Sequence, residues 1–154
     1  MPRRHDSLIP LSHQHQHALA LAVIIRRRFG VENGEDAWLE EMLAKAQNAY
    51  RAELAGHFEV EESVLFPEME RNLGKLDLVA ELLVVHQKLH VIIKGLETNP
   101  ALSGLDELSA LLEAHVHKEE RRLFAEFEAR MPADEALKIG REIDARLKKV
   151  CPGI

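Results

Sequence analysis

Ionisable side chains at positions where a helix should be apolar are the feature that most constrains this chain. Four segments have apolar residues at steps of three and four, as in bundle helices, and each of these stripes includes histidine. His57 and Glu61 lie one helical turn apart, and His115 and Glu119 repeat that spacing. Burying polar groups is costly unless they are paired. The sequence therefore predicts helices that gather these side chains around a shared cation.

The buried stripe of each helix can be assigned from periodicity alone. The four predicted stripes are Leu8, Leu11, His15, Ala18, Ala22, Ile25 and Phe29; Leu43, Tyr50, Leu54, His57, Glu61 and Val64; Val79, Leu82, Leu83, His86, His90 and Ile93; and Leu108, Leu111, Leu112, His115, Glu119 and Leu123. His13 and His17 form an alternative i, i+4 pair about 160° round the first helix from His15. The stripe favours His15 over that pair.

Turn signals divide the chain into four long helices and a shorter fifth one. The expected segments are Ser7 or Pro10 to Phe29, Asp36 to Arg71, Leu76 to Glu97, Ser103 to Arg130, and 133–150. Ser103 is expected to cap the fourth helix, and Pro67 to kink or restart the second. Short connections favour antiparallel neighbours. We predict an all-α, up-down-up-down four-helix bundle with a short extra C-terminal helix, as one domain over 1–154 with its bundle core at about 8–130.

An internal repeat links the second helix to the fourth. Residues 57–66 and 115–124 share the pattern H-x3-E-E-x2-L-F. Two helices that each bring one such motif to the centre of a bundle would supply two carboxylates to one place. This arrangement suits a pair of metal ions with two bridging carboxylates.

Composition excludes several other classes of function. The net charge is −6 and no Lys/Arg stripe with interleaved aromatic residues is present, so no nucleic-acid partner is expected. No run of about 18 apolar residues and no signal peptide occur, so no membrane partner is expected and we predict a cytoplasmic protein. Cys151 is the only cysteine, which excludes an intrachain disulfide and a Cys-rich metal site.

The ordered motifs resemble the hemerythrin family, in particular its HHE cation-binding branch. They are Leu11-Ser12-x-x-His15, His57-x3-Glu61, His86-x3-His90 and His115-x3-Glu119, one for each long helix, and they span about two thirds of the chain. The resemblance implies a left-handed four-helix bundle around an oxo- or hydroxo-bridged di-iron centre. It assigns His15 and His57 to one iron, His86, His90 and His115 to the other, and Glu61 and Glu119 as bridges. Leu111, Leu112 and Val116 stand where the family lines its ligand pocket.

Two positions depart from the family pattern. The respiratory hemerythrins have an aspartate five residues after the fourth-helix histidine, whereas this chain has Glu119 and Glu120 at four and five residues. By analogy with His57 and Glu61 we choose Glu119 as the bridge and place Glu120 outside the ligand set. The HHE branch often supplies one histidine from the third helix, so His86 is a firmer assignment than His90.

A site of histidines and carboxylates without thiolate suits iron, with manganese or zinc as substitutes. The leading hypothesis is a protein that binds dioxygen or a related small ligand for storage, transport or sensing. A second hypothesis is an oxidoreductase that acts on peroxide or nitric oxide, or repairs iron–sulfur clusters. A third is an iron-responsive regulatory module. The sequence favours a binding protein over an enzyme, because neither a flavin site nor a reducing cysteine pair is visible.

Overall fold

The computed structural model describes residues 3–151, which form helices and no β-strand. The helices are α1 (Ile9–Arg26), α2 (Glu35–Ala49), α3 (Ala55–Val60), α4 (Phe66–Leu73), α5 (Asp77–Thr98), α6 (Leu102–Lys118), α7 (Phe124–Arg130) and α8 (Ala133–Val150). Short 3₁₀ turns, Asp6–Leu8 and Val31–Asn33, precede α1 and α2. The chain runs without a break from α2 through α4 and from α6 into α7. Five helical segments therefore build an all-helical bundle.

Three π-helical turns join the continuous helices. They are Tyr50–Leu54, Glu61–Leu65 and Glu119–Leu123, and in each the residue after the turn donates its backbone N–H to the carbonyl of the first residue. A π-turn adds one residue to a helical turn and so rotates the side chains beyond it. Leu65, at the end of the second π-turn, is buried, whereas the predicted stripe residue Val64 is only half-buried. In α2, before the first π-turn, Met42 is buried and the predicted stripe residue Leu43 is half-buried.

The predicted helix ends agree closely with the structure except at two places. α1 ends at Arg26, and Phe29 is 54% exposed because it lies in the turn after this helix. The next residue, Gly30, has φ 93°, a conformation that favours glycine. The N-cap of α6 is Ala101, in extended conformation without a side-chain cap hydrogen bond, so the prediction that Ser103 caps this helix is wrong.

Pro67 and Leu83 test two further details of the prediction. Pro67 is the second residue of α4 and follows directly on the π-turn Glu61–Leu65. The helix continues through this point without a break, so it changes from π to α here rather than restarting. Leu83 is exposed rather than buried, so the stripe on α5 is narrower than predicted.

Two apolar clusters fill the bundle, and a layer of buried polar side chains lies between them. On α1, Leu11 belongs to one cluster and Ala18 to the other, with His15 between them. On α5, Leu82 and Leu89 flank His86 in the same way. α6 packs against both α1 and α5, and α8 packs against α3. Nowhere in residues 3–151 is a helix long and apolar enough to cross a bilayer.

Candidate metal centre

Six of the seven predicted metal ligands meet in the polar layer. They form two groups, and within each group the four donor atoms lie within 4.8 Å of one another. The groups are His15, His57, Glu61 and Glu119, and Glu61, His86, His115 and Glu119. We call the His15–His57 side the first half-site and the His86–His115 side the second half-site. Because both glutamates belong to both groups, the layer is shaped for two cations bridged by two carboxylates.

Each shared carboxylate directs one oxygen into each half-site. Glu61 Oε2 lies 3.3 Å from His57 Nε2, and Glu61 Oε1 lies 3.2 Å from His86 Nε2. Glu119 Oε2 lies 3.4 Å from His15 Nε2, and Glu119 Oε1 lies 2.5 Å from His115 Nε2. Both carboxylates are fully buried. This is the geometry of a bridging carboxylate rather than of a terminal one.

The buried polar atoms of this layer lack hydrogen-bond partners among the described residues. The atoms are His15 Nε2, His57 Nε2, His115 Nδ1 and all four carboxylate oxygens of Glu61 and Glu119. A buried unsatisfied polar atom costs about 1–3 kcal/mol, and several together would approach the roughly 5–15 kcal/mol by which a domain is stable. Bound cations would supply partners for six of these seven atoms. The residues present therefore fit a metal pair.

The charges in the layer are strongly coupled. Burial and the neighbouring Glu119 carboxylate raise the pKa of Glu61 well above its usual value. Burial acts in the same direction on Glu119, yet the charge of His115 holds its pKa well below the usual value. Burial opposes the charged form of His15, but Glu119 and Glu120 raise its pKa to about 10. Two buried carboxylates this close are both ionised only with positive charge beside them, which metal cations provide.

The second glutamate of each repeat hydrogen-bonds a histidine that lies on another helix and is predicted to bind metal. Glu120 Oε2 lies 2.5 Å from His15 Nδ1, and Glu62 Oε2 lies 2.8 Å from His86 Nδ1. A carboxylate that accepts the Nδ1–H of a histidine fixes the tautomer and leaves Nε2 free to bind a cation. Glu120 is itself held by Ser12 Oγ at 2.8 Å. The repeated Glu-Glu pair thus supplies one bridge and one outer partner.

Phenylalanines at the ends of the two repeats cover the same histidines. Phe124 stacks on His15, with ring centroids 5.5 Å apart, and Phe66 stacks on His86 at 5.7 Å. Both phenylalanines come directly after the π-turns that begin at the bridging glutamates. Each π-turn therefore joins a bridging carboxylate to an aromatic ring that shields a ligand histidine from solvent.

The two repeats differ in the hydrogen bonding of their first residues, His57 and His115. His57 Nδ1 lies 2.7 Å from Gln14 Oε1, and both side chains are buried. His115 occupies the equivalent position in the second repeat, but its buried Nδ1 has no partner among residues 3–151. In the first half-site both histidines therefore have a hydrogen-bond partner at Nδ1, whereas in the second half-site only His86 has one.

His90 lies outside both donor groups, although the family resemblance assigns it to the second iron. It is half-buried, and its Nδ1 hydrogen-bonds with the hydroxyl of Tyr50. Burial lowers the pKa of His90 and raises that of Tyr50, so both side chains favour their neutral forms. The ring of Phe58 stacks on His86 at 4.2 Å and meets His90 edge-on at 5.5 Å. Phe58 thus packs against both imidazoles.

The residues predicted to line the ligand pocket belong to the apolar cluster on one side of the polar layer. Leu112 and Val116 are buried, and Leu111 is half-buried against the same cluster. Phe58 and Leu89 belong to this cluster too, so the second half-site faces an apolar wall.

Sequence reasoning missed three contributors to the site. Gln14 is buried behind His57, although its neighbour in the sequence is an exposed histidine. Glu62 reads from the sequence as a residue of a solvated face or a salt-bridge partner, and the structure has it half-buried and bonded to His86. The π-turns at Glu61 and Glu119 have no recognised signal. The repeated Glu-Glu pair is the clue to the outer carboxylates, because both repeats place them one residue after the bridge.

Comparison with models of protein families gives one match. The model described as Hemerythrin HHE cation binding domain matches residues 10–127. This range contains all six donors of the two half-sites and ends before α8. In the comparisons with curated proteins and with solved structures, nothing matched significantly.

Proposed function

Because the chain belongs to the hemerythrin HHE cation-binding domain family, we propose that it binds two iron ions, one in each half-site. Glu61 and Glu119 bridge them, together with an oxo or hydroxo group, and the centre binds dioxygen or a related small ligand for storage, transport or sensing. The observation that carries this proposal is that each carboxylate directs one oxygen into each half-site. The left-handed up-down-up-down order of the four long helices is part of the same proposal.

The donor set supports iron as the metal. Each half-site offers two imidazoles and two carboxylate oxygens, which suit iron, manganese or zinc and disfavour calcium or magnesium. We propose iron as the resident metal, with manganese or zinc as substitutes. The ligands are His15, His57, Glu61, His86, His115 and Glu119. His90 stays a predicted seventh ligand of the second ion, although it lies outside both donor groups.

A bound iron pair would supply the redox chemistry and an open coordination position for a small ligand. The protein side chains prepare that position. Glu120 and Glu62 hold the Nδ1 atoms of His15 and His86, so that Nε2 faces the cations. Phe58, Leu112 and Val116 keep water away from the second half-site, which favours a small apolar ligand over bulk solvent.

An anaerobic reduction and then exposure to air test this function. We expect a charge-transfer absorption band that appears with air and disappears when oxygen is removed under vacuum. His57→Ala and Glu61→Ala should abolish the band, whereas His13→Ala and His17→Ala should retain it, because these two side chains lie on the exposed face of α1. Irreversible oxidation with consumption of peroxide would favour the oxidoreductase instead.

The unpartnered buried atoms favour a regulatory role as the second candidate. Since metal ions would satisfy most of these atoms, iron binding should be coupled to the stability of the fold. An iron-responsive module predicts that loss of iron unfolds the bundle or changes its oligomeric state. Circular dichroism and analytical ultracentrifugation of the protein with and without iron distinguish this role from reversible ligand binding in a fold that stays intact.

A further inference from the structure

A cleft between α1 and α8 carries metal-binding side chains that the buried centre does not use. Its volume is about 350 Å³, and His13, His17 and Asp144 line it. α8 lies beyond the range matched by the family model, so one wall of the cleft is outside the matched part of the chain. The cleft is therefore formed partly by residues outside the matched range.

The two histidines of the cleft are placed as an i, i+4 pair on the exposed face of α1. Their ring centroids are 6.5 Å apart, and the side chain of His17 is 63% exposed. Residues at this spacing point the same way along a helix, so both imidazoles can bind one ion once the ring of His13 turns toward His17. His13 is free to turn because it is exposed, whereas Glu53 holds the ring of His17.

His17 already has the outer partner that metal-binding histidines favour. Its Nδ1 lies 2.9 Å and 3.1 Å from the two carboxylate oxygens of Glu53. The carboxylate holds the proton on Nδ1 and leaves Nε2 as the donor. In the buried centre, Glu120 and Glu62 bond the Nδ1 atoms of His15 and His86 in the same way. The surface pair thus reproduces on α1 an arrangement that the centre uses twice.

Asp144 places a carboxylate on the opposite wall, and side-chain rotation has to bring it to the imidazoles because the three donor atoms do not form a close group in the structure. It is exposed on α8 and lines the same cleft as the two histidines. Two imidazoles, one carboxylate and water form a donor set suited to divalent zinc, iron or copper. Lys148 also lines the cleft and opposes a cation, although its long exposed side chain can extend into solvent.

Gln14 connects this cleft to the first half-site. Its side chain is buried, lines the cleft and bonds His57 Nδ1 at 2.7 Å. Gln14 therefore contacts both the cleft and a predicted ligand of the centre, and its side chain carries no charge that would oppose a cation.

We propose that His13, His17 and Asp144 bind a divalent transition-metal ion in the α1–α8 cleft, and that this ion passes from there to the buried half-sites. The capture of the ion is inferred only from the residues of the cleft. Its passage to the half-sites rests on the proposed iron centre.

The capture is tested by dialysing iron-loaded protein against zinc and then measuring both metals. The wild-type protein should bind about one extra equivalent of zinc and keep its iron, and the double variant His13→Ala/His17→Ala should bind that zinc at least about tenfold more weakly. His117→Ala is the matched control, because His117 is a partly exposed histidine with a carboxylate, Glu113, 3.9 Å away. Lys148→Ala should strengthen zinc binding several-fold. Equal zinc binding by the double variant and the wild type would overturn the capture site.

The passage is tested by mixing the protein, stripped of metal by a chelator, with ferrous iron under anaerobic conditions. The double variant should load several-fold more slowly than the wild type and reach the same final iron content. Equal loading rates would overturn the passage. Failure of the proposed iron centre looks different, because the wild type and Glu61→Ala would then retain equally little iron while the zinc result for His13 and His17 still stands.

Discussion

Each half-site combines two histidines with the two shared glutamates, but the hydrogen bonds to the histidine Nδ1 atoms differ between the half-sites. In the first, His15 is fixed by Glu120 and His57 by Gln14, at 2.5 Å and 2.7 Å. In the second, Glu62 fixes His86 at 2.8 Å, while His115 Nδ1 is buried without a partner among the described residues. A histidine whose Nδ1 is hydrogen-bonded keeps its Nε2 donor atom in one place. The first half-site is therefore the more rigidly organised of the two.

This difference leads us to expect the small ligand at the second half-site. Phe58 packs against both of its histidines, with ring centroids 4.2 Å from His86 and 5.8 Å from His115, and belongs to the same apolar cluster as Leu112 and Val116. Next to it, His90 is held by Tyr50 outside the donor groups. We expect the more loosely held iron, in the second half-site, to exchange its small ligand. Variants that remove one side chain at a time test this difference between the half-sites.

Removing a shared carboxylate should empty both half-sites together. Glu119→Ala deletes an oxygen from each half-site, so iron content should fall from about two equivalents to near zero. Metal analysis of the purified variant measures this loss. Glu107→Ala, an exposed glutamate on α6, should keep its iron and is the control. If Glu119→Ala retained one firmly bound iron, the half-sites would not share this carboxylate.

Removing an outer carboxylate should weaken one half-site only. Glu120→Ala should lower iron affinity about 10–100-fold in the first half-site, and Glu62→Ala should do the same in the second. Competition with a chelator, in which iron is released in two phases, reports the two affinities. The variants should weaken different phases of that release. Loss of the same phase in both would show that the two carboxylates do not act on separate half-sites.

Removing Gln14 should make the half-sites more alike. Gln14→Leu keeps a side chain of similar size but leaves His57 Nδ1 without a partner, as His115 Nδ1 already is among the described residues. We expect roughly tenfold weaker iron binding in the first half-site and little change in the second. The ratio of the two iron-release rates is the readout. A ratio that stays at the wild-type value would mean that Gln14 does not organise the first half-site.

The weakest effect on iron content is expected at His90. His90→Ala should lose less iron than His86→Ala, because only His86 belongs to a donor group. Metal analysis of both variants measures the difference. Loss of iron from His90→Ala as complete as from His86→Ala would show that the second iron depends on both histidines equally.

The sequence predicts well which side chains meet in the polar layer, because helical periodicity and burial agree at those positions. His15, His57 and His86 lie on apolar stripes, and the repeat leads directly to Glu61 and Glu119. Periodicity fails where the helix is not a regular α-helix. The π-turn that starts at Glu61 rotates the side chains after it, so Val64 is less buried and Leu65 more buried than a regular stripe predicts.

Contacts between distant segments are the other part that the sequence does not reveal. Glu62 reaches His86 and Gln14 reaches His57 across helix boundaries, and no local pattern encodes either distance. His90 is a further example. Its spacing from His86 is that of a ligand pair, and its hydrogen bond to Tyr50, forty positions away in the chain, has no signal in the local sequence.

Iron analysis of the protein expressed with iron tests the central claim most directly. Two half-sites that share two carboxylates predict about two equivalents of iron per chain, and near none in Glu61→Ala. Fewer than about one equivalent in the wild-type protein, or zinc alone, would contradict a di-iron centre.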